Sequence, residues 1–370
     1  MGTNILGAGL SGLASGIKLL QSNVEVSIFE KKNSIGQNID GIQAIRNYEN
    51  EYDQIEFFNK KGLNFKHFKP IFNIKKFSPS GKCMTVESQN NKPIFYSFKR
   101  GEEEISLENQ LYKQANELGA KIEFNTNKLP NNKDIDIIAI GGIYNNIWAF
   151  GSIYQDIDID PETILFFMDN NYCPKGYIYF IPFGKSEATV AATTFNKNTK
   201  IPKLFDKFIK ENKVMKEILD GATFVKHTFG FEYSNIPHSA EINRKKIIGS
   251  SAGFLDPSRG FGIKYALWSG ILASESITEN KNYDELWKNA FEEELLENFK
   301  RRFLLERMSN EDFEKWVIED KISISKYENI PNFLKNNILK IKLSLRLKNW
   351  RKKYDLNNIF NGDNQLIATN

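Results

Sequence analysis

The chain has few of the residues that staple or metallate a fold. It holds two cysteines, Cys83 and Cys173, in no CxxC pair, and three scattered histidines, His67, His227 and His238. This usage excludes a disulfide scaffold and a dithiol redox centre, and it fits a reducing, cytoplasmic setting. No histidine stands at ligand spacing from a cysteine or carboxylate cluster, so no metal is expected. No apolar run reaches membrane-spanning length, and the apolar start lacks the basic lead of a secretion signal. Charge of one sign is not in excess: 50 Lys and Arg against 46 Asp and Glu give +4, too balanced for a nucleic-acid partner. There is no internal repeat and no low-complexity linker. What the chain does have is aromatic residues, 29 Phe and 14 Tyr in 370 residues, enough length for two or three domains with large apolar surfaces to bury.

The first chemically informative stretch is Ile5-Leu6-Gly7-Ala8-Gly9-Leu10-Ser11-Gly12, followed by Val24, Val26 and Ile28 and closed by Glu30 with Lys31 beside it. It reads as strand, glycine turn, helix and second strand. Gly7 permits the turn, Gly9 lets a pyrophosphate approach the backbone, and Gly12 lets the helix lie close to the strand, so that the helix N-terminus meets the phosphates. The 17 residues between Gly12 and Glu30 are the length of one helix and one strand, which returns a carboxylate to a ribose. An accidental glycine-rich helix start would not carry these flanking strands.

Further along, residues near Glu51 to Gly62 read as helical. From Phe65 to Phe98, aromatic and polar residues alternate in short runs broken by proline, which predicts an antiparallel sheet. Leu107 to Leu118 has helical spacing and stops at Gly119. Asp134 to Ile140 reads as a buried parallel strand ending in Gly141-Gly142, where a cofactor can approach. Ile164–Met168, Gly176–Pro182 and Ala188–Thr194 are further strands, and Lys203–Leu219 is one amphipathic helix. In Gly176–Pro182, Tyr177 and Tyr179 share a face with Ile181, while Ile178 and Phe180 face the other way. A second glycine-rich stretch, Gly249 to Ile263, follows the strand Lys246–Gly249 and opens a long helix, so the amides near Gly260 and Gly262 point at negative charge.

Taken together and in order, these stretches resemble the flavoprotein family of geranylgeranyl reductases, aromatic hydroxylases and flavin-dependent halogenases, and geranylgeranyl reductase most of all. The family pattern is a GxGxxG unit closed by an acid, a "GYxWxFP" segment and a "GDAAG...P..G.GI" segment; Gly176–Pro182 and Gly249–Ile263 stand in those places. The likeness covers roughly residues 3 to 280. It implies an α/β fold with a Rossmann-type FAD-binding domain (1–50, 99–150 and 240–280), an inserted antiparallel-sheet substrate domain (51–98 and 151–239) and a helical C-terminal region (281–370). FAD would be held by Gly7, Ala8, Gly9, Leu10, Ser11, Gly12, Glu30, Lys31, Gly141, Ser250, Gly260, Gly262 and Ile263. Arg100, before the Leu107 helix, matches a basic residue of the family near the flavin, although a solvated arginine beside Glu102–Glu104 reads equally well. Tyr177, Tyr179 and Cys173, the last at the pocket edge, are the pocket candidates, with no catalytic residue assigned; for Cys173 a buried small hydrophobe is the stronger reading.

The family's ribitol-binding aspartate is replaced here by Ser250, a neutral and shorter partner. Ile140-Gly141-Gly142 stands where hydroxylases carry an aspartate-glycine pair. The resemblance implies alkene reduction of an apolar, isoprenoid or lipid-like substrate by hydride from flavin N5, with electrons from NAD(P)H or a reduced carrier protein. A monooxygenase or halogenase-like enzyme and a non-catalytic ligand-binding homologue are the alternatives. Between Lys335 and Lys353 eight Lys or Arg occur without an acid, interleaved with Ile338, Ile341, Leu343, Leu345, Leu347 and Trp350. The surface suits peripheral contact with anionic lipid, but Ile341 to Leu347 alternates with period two, as a strand does.

Overall fold

The computed structural model describes residues 2–47, 52–319 and 332–360. The chain begins with β1 (Thr3–Leu6), α1 (Leu10–Gln21), β2 (Val26–Phe29), β3 (Ile42–Arg46) and α2 (Gln54–Lys60). There follow β4 (Lys69–Ile71), β5 (Asn73–Phe77), β6 (Cys83–Glu87), β7 (Phe95–Lys99), α3 (Leu107–Glu117), β8 (Lys121–Glu123) and β9 (Ile137–Ile138). The middle of the chain is β10 (Ile147–Gln155), β11 (Thr163–Phe167), β12 (Gly176–Pro182), β13 (Glu187–Thr194), α4 (Ile201–Glu211), α5 (Lys213–Ile218) and β14 (Thr223–Glu232). Then come β15 (Glu241–Ile242), β16 (Lys245–Ile247), a short turn of 3-10 helix (Gly249–Ser251) and α6 (Ile263–Thr278). The last elements are α7 (Tyr283–Trp287), α8 (Glu293–Leu305), α9 (Asn310–Glu319), α10 (Asn332–Lys353) and α11 (Leu356–Phe360).

The first sheet has the order β15-β16-β9-β1-β2-β8, with β1 paired in parallel to both β2 and β9. The strand order reverses at β1, so the crevice beyond its carboxyl end is where a ligand binds in such sheets. Its strands are apolar on both faces (Ile5, Leu6, Val26, Ile28, Ile137, Ile138) because helices cover them. Helix α1 lies against α6, with Ser15 Oγ 2.9 Å from Ser274 Oγ.

The second sheet runs β14-β10-β13-β12-β11-β5-β6, and β3, β7 and β4 form a third. It is antiparallel except that β5 and β11 pair in parallel, a long-range partnership the alternation of Phe65–Phe98 does not reveal. Along β12, Ile178 and Phe180 enter the core beneath α4 with Phe205 and Phe208, leaving Tyr177, Tyr179 and Ile181 on the opposite face.

Several elements differ from their sequence readings. Residues 54–65, expected in the substrate domain, pack Ile55, Phe58, Leu63 and Phe65 into the core of the first sheet; Glu51 lies outside the described residues. The helix expected over Lys203–Leu219 is broken at Asn212, whose side chain accepts from the Met215 amide and caps a second helix. The basic stretch is helical in α10. Leu339, Leu343, Leu347 and Trp350, spaced four, four and three apart, pack inward, while Ile341 and Leu345 face outward, 61% and 57% exposed. The period-two pattern was thus the overlap of an inner and an outer helical row. Of that stretch the side chains of Lys335 and Ile338 lie outside the described residues, as do residues 320–331 and 361–370 of the C-terminal region.

Candidate active site

The carboxyl ends of β1 and β2 open into a cleft of about 810 Å³ lined by Gly7, Ala8, Gly9, Glu30, Lys31 and Gly141. It continues into a section of about 400 Å³ that shares Gly9 and Gly141 and adds Leu10, Ser11, Arg100, Tyr177, Tyr179, Ser250, Gly260, Gly262 and Ile263. Both volumes fall in the range of cofactor clefts. Of the residues singled out from the sequence, all but Gly12 and Cys173 line one or both sections.

Gly12 lies beneath the cleft, where a Cβ would come 2.0 Å from the Gly7 carbonyl oxygen. Cys173 takes the buried, small-hydrophobe place that was the alternative to the pocket edge: it lies on the far side of β12 among Phe167, Ile178 and Phe180, its Sγ 3.3 Å from the Thr193 carbonyl. It is a core side chain and not a pocket edge, because the turn before Gly176 puts it behind the sheet. Burial pushes its thiol up to about 12, so a thiol reagent at pH 8 should find one reactive cysteine per native chain, the exposed Cys83, and two after denaturation. Two fast-reacting thiols in the folded protein would contradict this placement.

The adenosine end is built on backbone. The Glu30 carboxylate accepts from the Ala8 amide at 2.7 Å and the Lys32 amide at 2.9 Å, which fixes it at the rim. Gly9 caps α1 with extended backbone, and a Cβ there would meet nothing within 4 Å. The first turn of α1 has no acid, and no side chain caps it. These are features that a dinucleotide pyrophosphate fits.

Arg100 lines the second section, as do Leu10, Ser11 and Ser250. Its Nε donates to Glu108 at 2.7 Å, and it also donates to Gln43, so it is held in place and not solvated. The loop to α6 is ordered by Asp256, whose Oδ1 accepts from the Ser258 amide and hydroxyl, both at 2.7 Å. Arg46 reaches the other oxygen at 3.4 Å and Glu294 at 2.8 Å. Glu232, which the sequence reading passed over, also lines this section together with Ser250. Burial pushes its carboxyl up, offset in part by Arg100 and Ser250. Its position at the end of an otherwise unremarked strand gives no local signal.

Phe166, Tyr177, Arg259 and Phe261 line both this section and a third cavity of about 1050 Å³. Ile74, Val86, Phe95, Met168, Leu305 and Trp316 make much of its wall, and Asp53, Tyr96, Lys76 and Glu87 its polar points. The Tyr177 hydroxyl donates to the Arg259 carbonyl, and Tyr179 is hydrogen-bonded to Thr193. Burial raises both hydroxyls, Tyr179 to about 12. They are wall residues with satisfied hydroxyls. Among the described residues no group of three His, Cys, Asp or Glu is placed to hold a metal, and no helix is long and apolar enough to cross a membrane.

Residues 5–59 match the family model of the NAD(P)-binding Rossmann-like domain. A digeranylgeranylglycerophospholipid reductase of Methanocaldococcus jannaschii is 24% identical over 366 residues, 84% of this chain and 88% of that protein. A protein of the same name from Thermoplasma volcanium is 27% identical over 177 residues, 44% of each chain. Among solved structures, a geranylgeranyl bacteriochlorophyll reductase-like protein of Thermoplasma acidophilum superposes with a TM-score of 0.73 at 18% identity, covering 91% of this chain and 98% of that one. The flavin-dependent halogenase CmlS superposes with a TM-score of 0.60 at 15% identity, covering 87% and 68%. In sequence and in fold, the chain is geranylgeranyl reductase-like.

Proposed function

We propose that the chain is an FAD-dependent oxidoreductase that reduces carbon–carbon double bonds of an isoprenoid or lipid-like substrate. The observation that supports it best is one continuous path: Glu30, the N-terminus of α1, the N-terminus of α6, then a largely apolar cavity reached past Tyr177 and Phe261. The family model spans only the adenosine-binding unit, which NAD(P) and FAD share. The second section, beyond the α1 N-terminus, is what FAD needs and a lone ADP does not.

When bound, FAD supplies the hydride through N5. The chain's own part is positional. Glu30 would hold the ribose and the α1 amides the pyrophosphate, and the amides ahead of α6 would favour the negative charge of a reduced ring. Phe166, Phe261 and the Tyr177 ring wall the junction while the cavity takes up apolar chain, and the compensating proton would come, from the side away from the flavin, from water or a pocket hydroxyl. The reductant is NAD(P)H or a reduced carrier protein. The outward face of α10, with Ile341 and Leu345 among lysines and arginines, brings the protein to anionic lipid.

The test is anaerobic: photoreduce the FAD-loaded protein and add a polyprenyl lipid in anionic vesicles. Re-oxidation by the lipid, with the protein sedimenting with the vesicles, is expected. Failure of the lipid to re-oxidise the flavin removes alkene reduction, and absence of sedimentation removes the α10 contact. Substrate-dependent oxygen consumption instead assigns the monooxygenase or halogenase-like reading, which the halogenase fold likeness favours.

A further inference from the structure

Between the two helix N-termini, the cleft is polar in a way that neither the phosphates nor the ring explains. Gly249 starts the turn that carries Ser250, and a Cβ on Gly249 would come 2.6 Å from Ser11 Oγ, so this turn is pressed against the first turn of α1. Ser250 is thus next to the pyrophosphate position, on the side leading to α6. In FAD that stretch is the ribityl chain, whose hydroxyls need acceptors. Arg100 is donor-only and is tied to Glu108 and Gln43. Among the described residues that line this section, Glu232 is the one carboxylate, and its backbone is fixed, the Asn146 amide donating to the Glu232 carbonyl at 3.1 Å.

We propose that the Glu232 carboxylate, with Ser250 beside it, receives the ribityl hydroxyls of FAD and so supplies from the end of β14 the acceptor that the Gly249–Ile263 loop lacks. This rests on the cofactor reading above. Two observations separate it from other roles for the same side chain. Glu232 does not line the 1050 Å³ cavity, so it is not placed to protonate a substrate there. Arg100 makes its ion pair with Glu108 and reaches Glu232 only at longer range, so Glu232 is not a structural counter-ion for it.

The experiment is a titration of apoprotein with FAD, read by flavin fluorescence, and in parallel with ADP, which lacks the ribityl chain. Glu232→Ala should weaken FAD about 10- to 100-fold, the size of a hydrogen bond to a charged group, and leave ADP unchanged. Glu232→Gln, which keeps the shape and one acceptor, should lose less, and it carries the test if the alanine variant does not fold. Adding Ser250→Asp to Glu232→Ala should restore FAD affinity, because Ser250 lines the same section and an aspartate there offers the same charge. Glu30→Ala, at the other end, should weaken FAD and ADP alike. Unchanged FAD affinity in both Glu232 variants, or equal losses for FAD and ADP, overturns the proposal. A folded wild-type protein that binds ADP but takes up no FAD overturns the cofactor reading itself, and the proposal with it.

Discussion

Replacing Arg46 with alanine is expected to destabilise the fold by about 3–5 kcal/mol, as removal of one member of a buried ion pair does. Arg46 is 5% exposed and Asp256 is fully buried. Taking away the guanidinium leaves the Asp256 charge without its counter-ion, since its other bonds, to the Ser258 amide and hydroxyl, come from neutral donors. The loss should also reach the cofactor, because Asp256 shapes the loop that delivers Gly260 and Gly262 to the start of α6. Chemical denaturation and flavin retention measure the two effects. Adding Asp256→Asn to the alanine variant removes the stranded charge and should recover part of the stability. The same cluster has a pH signature. Burial pushes the Glu294 carboxyl up, but Lys264 and Arg46 outweigh it and hold it below the usual range. Its contribution is therefore present above the unfolded carboxylate pKa and lost as pH falls through the lower folded value. The alanine variant should lose less stability than the wild type over that acid window. A variant within about 1 kcal/mol of wild type at neutral pH would show that water or a neighbour replaces the guanidinium.

What could be read from the sequence was local. The unit Gly7 to Glu30, the loop Gly249 to Ile263 and the face of Tyr177 and Tyr179 each depend on residues within one turn or strand, and those patterns carry their geometry with them. What could not be read depends on distant partners. Arg46 and Asp256 are 210 positions apart, and nothing near either marks it as half of a pair. Glu232 sits on an edge strand whose Phe229 and Phe231 are exposed, so its alternation points to no core, and Ser250, which lines the same section, comes from the turn after β16 of another sheet. Cys173 shows the same limit: it stands in the turn before β12, and that turn, not the alternation that puts Tyr177 and Tyr179 on one face, carries it behind the sheet. In α10, two helical rows offset by two residues imitated a strand, and only packing against the core shows which row is inner.

Two glycines of the same turn should respond in opposite ways to alanine. At Gly12 the new Cβ would lie 2.0 Å from the Gly7 carbonyl oxygen and 3.3 Å from the Ala139 Cβ, and the nearer of these is backbone that no rotamer change can move. Nor can Gly7 yield, because its φ is +105° and it lies against the Ala139 carbonyl. Helix α1 would have to lift off the sheet, and α6 holds it from the other side through Ser15 and Ser274. Gly12→Ala is therefore expected to lose about 3 kcal/mol or more, the upper end of overpacking, together with FAD binding. At Gly9 the backbone is extended, with φ −75°, and the added methyl has nothing within 4 Å. Gly9→Ala should leave stability unchanged or raise it by up to about 1 kcal/mol through the unfolded chain. It should still weaken FAD, since the methyl occupies the space through which a pyrophosphate reaches the α1 amides. Denaturation midpoints and flavin titrations on the pair separate a glycine kept for packing from one kept for the ligand. If Gly9→Ala bound FAD as tightly as the wild type, the pyrophosphate would not lie over the start of α1.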